Sequence, residues 1–190
     1  MFSSEADLFF REPSTIDPKA TAQSTLHLLR RDIIQCLGRN PTTGQPMMDF
    51  PALWPATIGI LIGIDLLAKH FAGSDKKGTA GKHFRSFFDK YFPTQTSDDA
   101  EVIWQLRNAL IHSFGMRSYH AKSGKDYKFR MDVRSGALIE RTHDYLISLP
   151  TLHSCFESAI RNYREELNAD SKLQANFTKM FALYGSVPWG

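Results

Sequence analysis

A mainly helical single domain carrying a small antiparallel β meander is the fold this sequence predicts, on three observations. Apolar residues recur at three- and four-residue spacing through most of the chain, the period of helices buried along one face. The period shortens to two near Lys125 to Arg134. There Tyr127, Phe129, Met131 and Val133 alternate with Lys128, Arg130, Asp132 and Arg134, the pattern of a half-buried strand. Finally, 190 residues that are 42% hydrophobic, with 14 Phe, 6 Tyr and 3 Trp, suffice for one packed core and argue against a second domain.

Residues 1–16 are expected to form an N-terminal extension, acidic where an export signal is basic. Asp17 followed by Pro18 marks the start of a first helix, whose stripe of Leu26, Leu29, Ile33 and Leu37 runs to about Asn40. A loop through Pro41, Pro46 and Pro51 leads to a second helix over about 52–71, apolar on almost every side and therefore central. Gly59 and Gly63, one turn apart, would let a neighbouring helix approach closely. The segment from Gly73 to Lys82 is a connector rather than a phosphate-binding loop, because Thr79 and not Lys follows Gly78 and no strand precedes it. A short helix over 82–91 packs Phe84, Phe87, Phe88 and Tyr91, and Pro93 ends it.

The next helix carries the chemistry. Thr96 or Ser97 would cap it, Asp98, Asp99 and Glu101 suit its positive end, and Gly115 would close it. Val102, Ile103, Leu106, Ala109, Leu110 and Phe114 form its core stripe. On the other side Trp104 and Ile111 flank Glu101, Gln105, Asn108 and His112, which predicts a second buried contact, with another segment or another subunit. Asn108 and His112 lie one turn apart and Arg107 sits beside them. A guanidinium forks onto two phosphate oxygens and an imidazole moves protons near neutrality, so this trio suits phosphodiester chemistry. The alternative is a hydrogen-bonded pair with Arg107 in a salt bridge. Asp65, on the second helix, either orients Arg107 or His112 or pairs with Lys69 at i,i+4; the Lys69 pair is the primary expectation.

Beyond this helix a meander of about 116–121, 126–134 and 138–147 is expected, with turns at Ser123-Gly124 and Ser135-Gly136. From Arg107 to Arg141, eight basic residues face three acidic ones. Arg117, Lys122, Lys125, Lys128, Arg130 and Arg134 thereby become candidate RNA-backbone ligands, with Tyr119, His120 and Tyr127 available to stack bases. An ordinary solvated sheet face is the alternative. Two closing helices follow, one from Pro150 and one capped by Asp170 and ended by Gly185, before a tail over 185–190 that holds Trp189.

Arg107, Asn108 and His112, spaced Arg-Asn-x-x-x-His near a helix end, resemble the motif of HEPN domains, small helical bundles that include many metal-independent ribonucleases. The resemblance implies a HEPN-like bundle, to which the meander is an addition. It also implies a homodimer whose paired motif helices form a composite cleft, with Arg107 and His112 acting on an RNA phosphodiester and Asn108 assisting. The function expected is an endoribonuclease of the toxin or defence type, acting on RNA to leave 2′,3′-cyclic phosphate ends, with an antitoxin protein as a further partner and Asp65 and Trp104 as support. A non-catalytic interaction module or nucleotide-binding module on the same bundle is the alternative, and a nucleic-acid-binding accessory protein using the basic meander is another.

No cofactor and no metal site are expected, since His27, His70, His83, His143 and His153 lack ligand spacing. Cys36 and Cys155 form neither a disulfide framework nor a metal cluster, which fits a reducing cytoplasm. The longest apolar run, from Ala56 to Ile64, is shorter than a membrane span, so no membrane association is expected.

Overall fold

The computed structural model describes residues 2–14, 20, 22–47 and 51–188 and is mainly helical. Helix α1 (Phe2–Phe9), strand β1 (Ala22–Ser24) and helix α2 (Thr25–Cys36) come first, followed by α3 (Leu53–Ala72), α4 (Ala80–Tyr91) and α5 (Asp99–Ser113). Strands β2 (Arg117–His120), β3 (Lys125–Asp132), β4 (Ile139–Arg141) and β5 (Tyr145–Ser148) precede α6 (Leu149–Ala169), α7 (Ser171–Tyr184) and β6 (Ser186–Pro188).

Helix α3 is central, packed by α2, α4, α5, α6 and α7. A Cβ on Gly59 would stand 2.8 Å from Ile33, and one on Gly63 would stand 2.4 Å from Phe156, so the glycines admit α2 and α6 as expected. The helix is longer than its apolar run implies. At 20 residues it is long and apolar enough to cross a membrane by length and composition, yet 56% of its most apolar stretch is buried inside this fold.

The first residues are more than an extension. Phe9 and Phe10, at the end of α1, enter the core, Phe9 against His70 and Phe10 stacked on Phe177. The expected helix start at Asp17 and Pro18 lies outside the described residues, and α2 begins instead after Ser24. The Ser24 hydroxyl accepts from His27 N and donates to Phe9 O at 2.9 Å, joining α1 to α2. Strand β1 pairs antiparallel with β6, so Ser186–Pro188 of the tail form a strand; Trp189 lies outside the described residues. Asp170 caps α7 as expected, accepting from Lys172 N and Leu173 N.

The antiparallel meander is corrected to a mixed four-stranded sheet of order β2-β3-β5-β4, in which β3 and β5 run parallel. The expected third strand breaks at the turn where Thr142 N donates to Asp144 O. The loop after β3 is tied to the head of α6, because the hydroxyls of Ser148 and Thr151 donate to Arg134 O and Gly136 O. The chain therefore crosses the sheet's end, lays β4 on the far edge and returns to insert β5 beside β3. Tyr127 and Phe129 are buried as expected, but Val133 lies past the strand's end and is 57% exposed.

His70 is fully buried between Phe9 and Phe177, with Nδ1 on Leu66 O; burial lowers its pKa to about 4. The unfolded chain takes this proton near the ordinary value of 6.5. Stability should thus fall as pH drops from about 6.5 toward 4, by about 2–3 kcal/mol from this residue. In urea melts across that range, His70→Phe is expected to flatten the slope; an unchanged slope would remove His70 from the acid response.

Candidate functional site

Helix α5 presents the trio where it meets α3 and the sheet. Its core stripe is buried as expected through Leu110. Both ends differ from expectation. Neither Thr96 nor Ser97 caps the helix: Asp98 occupies the N-cap without a side-chain cap bond. The Asp99 carboxylate instead folds back to accept from Gln95 N, Thr96 N and the Thr96 hydroxyl. Arg141 of β4 also grips Asp98 and Asp99, fastening the sheet to the helix start. Burial pushes the Asp99 carboxyl up, and hydrogen bonds from Arg141, Thr96 and the two amides outweigh it, leaving it below its ordinary value.

At the other end Phe114, not Gly115, takes the left-handed position, at φ 47°, and Gly115 N donates to Ala109 O. A side chain in that region costs roughly 1 kcal/mol or more. Phe114 is 68% exposed rather than in the core stripe, and it stacks on Trp54 of α3 with centroids 5.2 Å apart.

The structure brings Arg107, Asn108, His112 and Asp65 together. Arg107 Nε donates to Asp65 Oδ2 at 2.8 Å, and its Nη1 lies 3.3 Å from Asn108 Oδ1 and 3.2 Å from His112 Nε2. A guanidinium only donates, so His112 Nε2 is the acceptor in this contact. The expected Lys69 partner for Asp65 is corrected, since Lys69 bonds Asp75 at 3.1 Å. Burial pushes the Asp65 carboxyl above its ordinary value, and Arg107 recovers only part of that shift.

Trp104 is half-buried within the chain, its ring 5.3 Å from Phe84 and in contact with Gly81, with the cations of Arg107 and Arg85 over it at 5.0 and 6.0 Å. Much of the apolar frame is thus satisfied by α4 without a second subunit. A chain of contacts carries on to the sheet: Arg85 bonds Glu101, Gln105 donates to Glu101, and the Ser118 hydroxyl donates to Gln105 at 2.6 Å. The space between α5 and β2 is a cleft of about 510 Å³, lined by Gln105, Asn108, His112, Ser118 and His120 among others.

The basic residues divide. Cross-strand partners share a face, so Arg117, Lys128, Arg130 and Tyr119 stand on the solvent side of the sheet. Arg117 is held bidentate by Asp126, and Arg130 approaches Asp144 at 3.6 Å. Lys125 lies on the opposite face, over Tyr127 and Tyr145 and 3.5 Å from Asp98. Arg134 sits beyond β3 and clasps Asp132; Lys122 is exposed in the hairpin turn. The structure therefore does not join all six on one surface.

Sequence reasoning passed over Ser118 and Arg85, named Gln105 only as part of the polar face of α5, and treated His120 only as a stacking group. The signal was the two-residue period: Ser118 and His120 alternate with Arg117 and Tyr119, so both face α5. Among the described residues, no three His, Cys, Asp or Glu side chains converge to hold a metal ion. No protein-family model, curated protein or solved structure matches the chain.

Asp65→Ala would leave Arg107, only 18% exposed, without its carboxylate. Removing one member of such a pair costs on the order of 3 kcal/mol. A double-mutant cycle with Arg107→Ala in chemical denaturation is expected to show strong coupling between the two positions; additive losses would mean that the pair does not hold α5 on α3.

Proposed function

We propose that this chain is a metal-independent endoribonuclease of the toxin or defence type, built on a HEPN-like bundle and working as a homodimer in a reducing cytoplasm. The observation that carries the reading is the Arg107 fork, held by Asp65 at one end and in contact with His112 at the other. RNA cleavage through the 2′-hydroxyl needs a base at that oxygen, an acid at the leaving oxygen and positive charge on the phosphate. His112 offers the proton acceptor, Arg107 the charge, and Asn108 a polar group that positions the ribose or phosphate. Arg117, Lys128 and Arg130, with Tyr119 exposed beside them, offer a track for the backbone and a ring for a base. An antitoxin protein is the further partner that the reading carries.

The homodimer reading is supported by the side of α3 that the described residues leave open. Trp54, Ile58 and Ile62 recur along it, with Trp54 36% and Ile62 43% exposed, and Phe114 extends the patch from α5. Asp65 and Arg107 adjoin it, so a second copy seated there would bring two trios close. Ile62→Glu is expected to convert a dimer to a monomer in sedimentation velocity while leaving the melting temperature nearly unchanged. A wild type that sediments as a monomer at all concentrations would remove the dimer from the proposal.

The function is tested by incubating purified protein with mixed RNA in EDTA, beside His112→Ala, and identifying the product ends. Cleavage to 2′,3′-cyclic phosphate and 5′-hydroxyl ends is expected, with a loss of roughly 100-fold or more in the variant. An inert wild type that still binds RNA would favour the non-catalytic binding module.

A further inference from the structure

We infer that His120 is the second proton carrier of the cleft, so that each protomer holds its own acid and base. The inference rests on the ribonuclease reading and departs from the composite arrangement, in which the second carrier comes from the partner copy.

His112 and His120 line the same cleft from opposite walls, His112 on α5 and His120 on β2. The volume, about 510 Å³, lies within the range of small-ligand sites and has room for a nucleotide. The two imidazoles differ in their fixed partners. His112 Nε2 accepts from Arg107, so it presents to the cleft's edge the lone pair through which a base takes a proton. His120 has Nδ1 2.7 Å from Ser123 Oγ, and that hydroxyl also lies 3.5 Å from His120 O, so it can donate there and accept the ring proton. Nε2 of His120 is then the atom that exchanges its proton with a ligand.

The wall bearing His120 is braced. Ser123 N and Gly124 N both donate to His120 O, at 3.2 and 3.0 Å, and Gly124 takes the positive φ of 66° that the hairpin turn needs. The Ser118 hydroxyl anchors β2 to Gln105, which Glu101 holds in turn. Lys125, the cross-strand partner of His120, lies over Tyr127 and Tyr145 and 3.5 Å from Asp98, and Arg117, on the other face of β2, is held by Asp126. A proton donor built this way stays in place while the phosphate reorganises.

The step balances with these two groups. Neutral His112 removes the 2′-hydroxyl proton, and the 2′ oxygen forms a bond to phosphorus. The bond from phosphorus to the 5′ oxygen breaks with its electron pair on that oxygen, which takes a proton from Nε2 of protonated His120. The products are a 2′,3′-cyclic phosphate and a 5′-hydroxyl; His112 ends protonated and His120 neutral, and exchange with water restores both. Nothing is oxidised or reduced.

A leaving group that needs no proton separates this role from a structural one. Wild type, His112→Ala, His120→Ala and His120→Gln would be assayed in EDTA on RNA and on uridine 3′-(4-nitrophenyl phosphate). On RNA both His120 variants are expected to lose about 100-fold or more, together with the fall in rate at alkaline pH that the loss of a protonated acid produces. On the nitrophenyl ester they are expected to return to within about tenfold of wild type, while His112→Ala stays impaired on both substrates. His120→Gln keeps a donor for Ser123 and so distinguishes lost proton transfer from a disturbed hairpin. Wild-type rates on RNA in the His120 variants, or equal losses on both substrates, would overturn the assignment and leave the ribonuclease reading intact. A wild type inert on both substrates would bring down the ribonuclease reading and this inference together.

Discussion

Everything in this molecule is arranged around the need to bury α3. Its sequence is apolar almost all round, and the glycines at 59 and 63 let Ile33 and Phe156 press onto its backbone from α2 and α6. With α4 and α7 on further sides, one strip remains, carrying Trp54, Ile58, Ile62 and Asp65. Helix α5 lies along the edge of that strip. A carboxylate so placed is half withdrawn from water, which burial makes costly, and the helix that covers it must bring a compensating cation. Arg107 is that cation. The position of the trio is thus a consequence of helix packing, since the arginine is oriented by the core helix before any ligand arrives.

The helices were largely legible because burial on one face imposes a period that survives in the residues themselves. The second, fourth and closing helices end within a few residues of where their stripes, glycines and prolines place them. What was not legible depends on partners distant in the chain. Alternation at Tyr127 to Met131 reports that a strand has one buried face, but it is blind to the direction of the neighbouring strand; that direction comes from Ser148 and Thr151 capturing the loop after β3. Ser24 serves as cap because Phe9 O lies beside it, a contact 15 residues distant. Phe114 fits a helical stripe by spacing, yet the helix turns left-handed at that residue and sends the ring to Trp54.

The candidate site divides along the same line. Arg107, Asn108 and His112 were legible because one helical turn sets their proximity. The choice of Asp65 between Lys69 and Arg107 was not, since an i,i+4 partner is always within reach and only the docking of α5 on α3 offers a better one. Lys69 then turns to Asp75. The basic segment read as one patch because charge can be counted along a chain, whereas pleating sends Lys125 to the face opposite Arg117 and Lys128. Several of these cations are already held by carboxylates, so a phosphate would have to compete for them.

The Arg107 contacts also bear on how a ligand would be received. Nε faces a carboxylate, a charge-assisted bond of the strong kind, while Nη1 is shared between two neutral acceptors, Asn108 Oδ1 and His112 Nε2. The Nε bond joins two opposite charges and the Nη1 bonds do not, so an arriving phosphate displaces Asn108 and His112 first and leaves Asp65 in place. That exchange does two things at once. It fixes the anion on a guanidinium whose other edge is already anchored, and it releases the lone pair of His112 that the guanidinium had occupied. On the proposed ribonuclease reading, binding the phosphate and freeing the base would be a single event, because one nitrogen of Arg107 serves both.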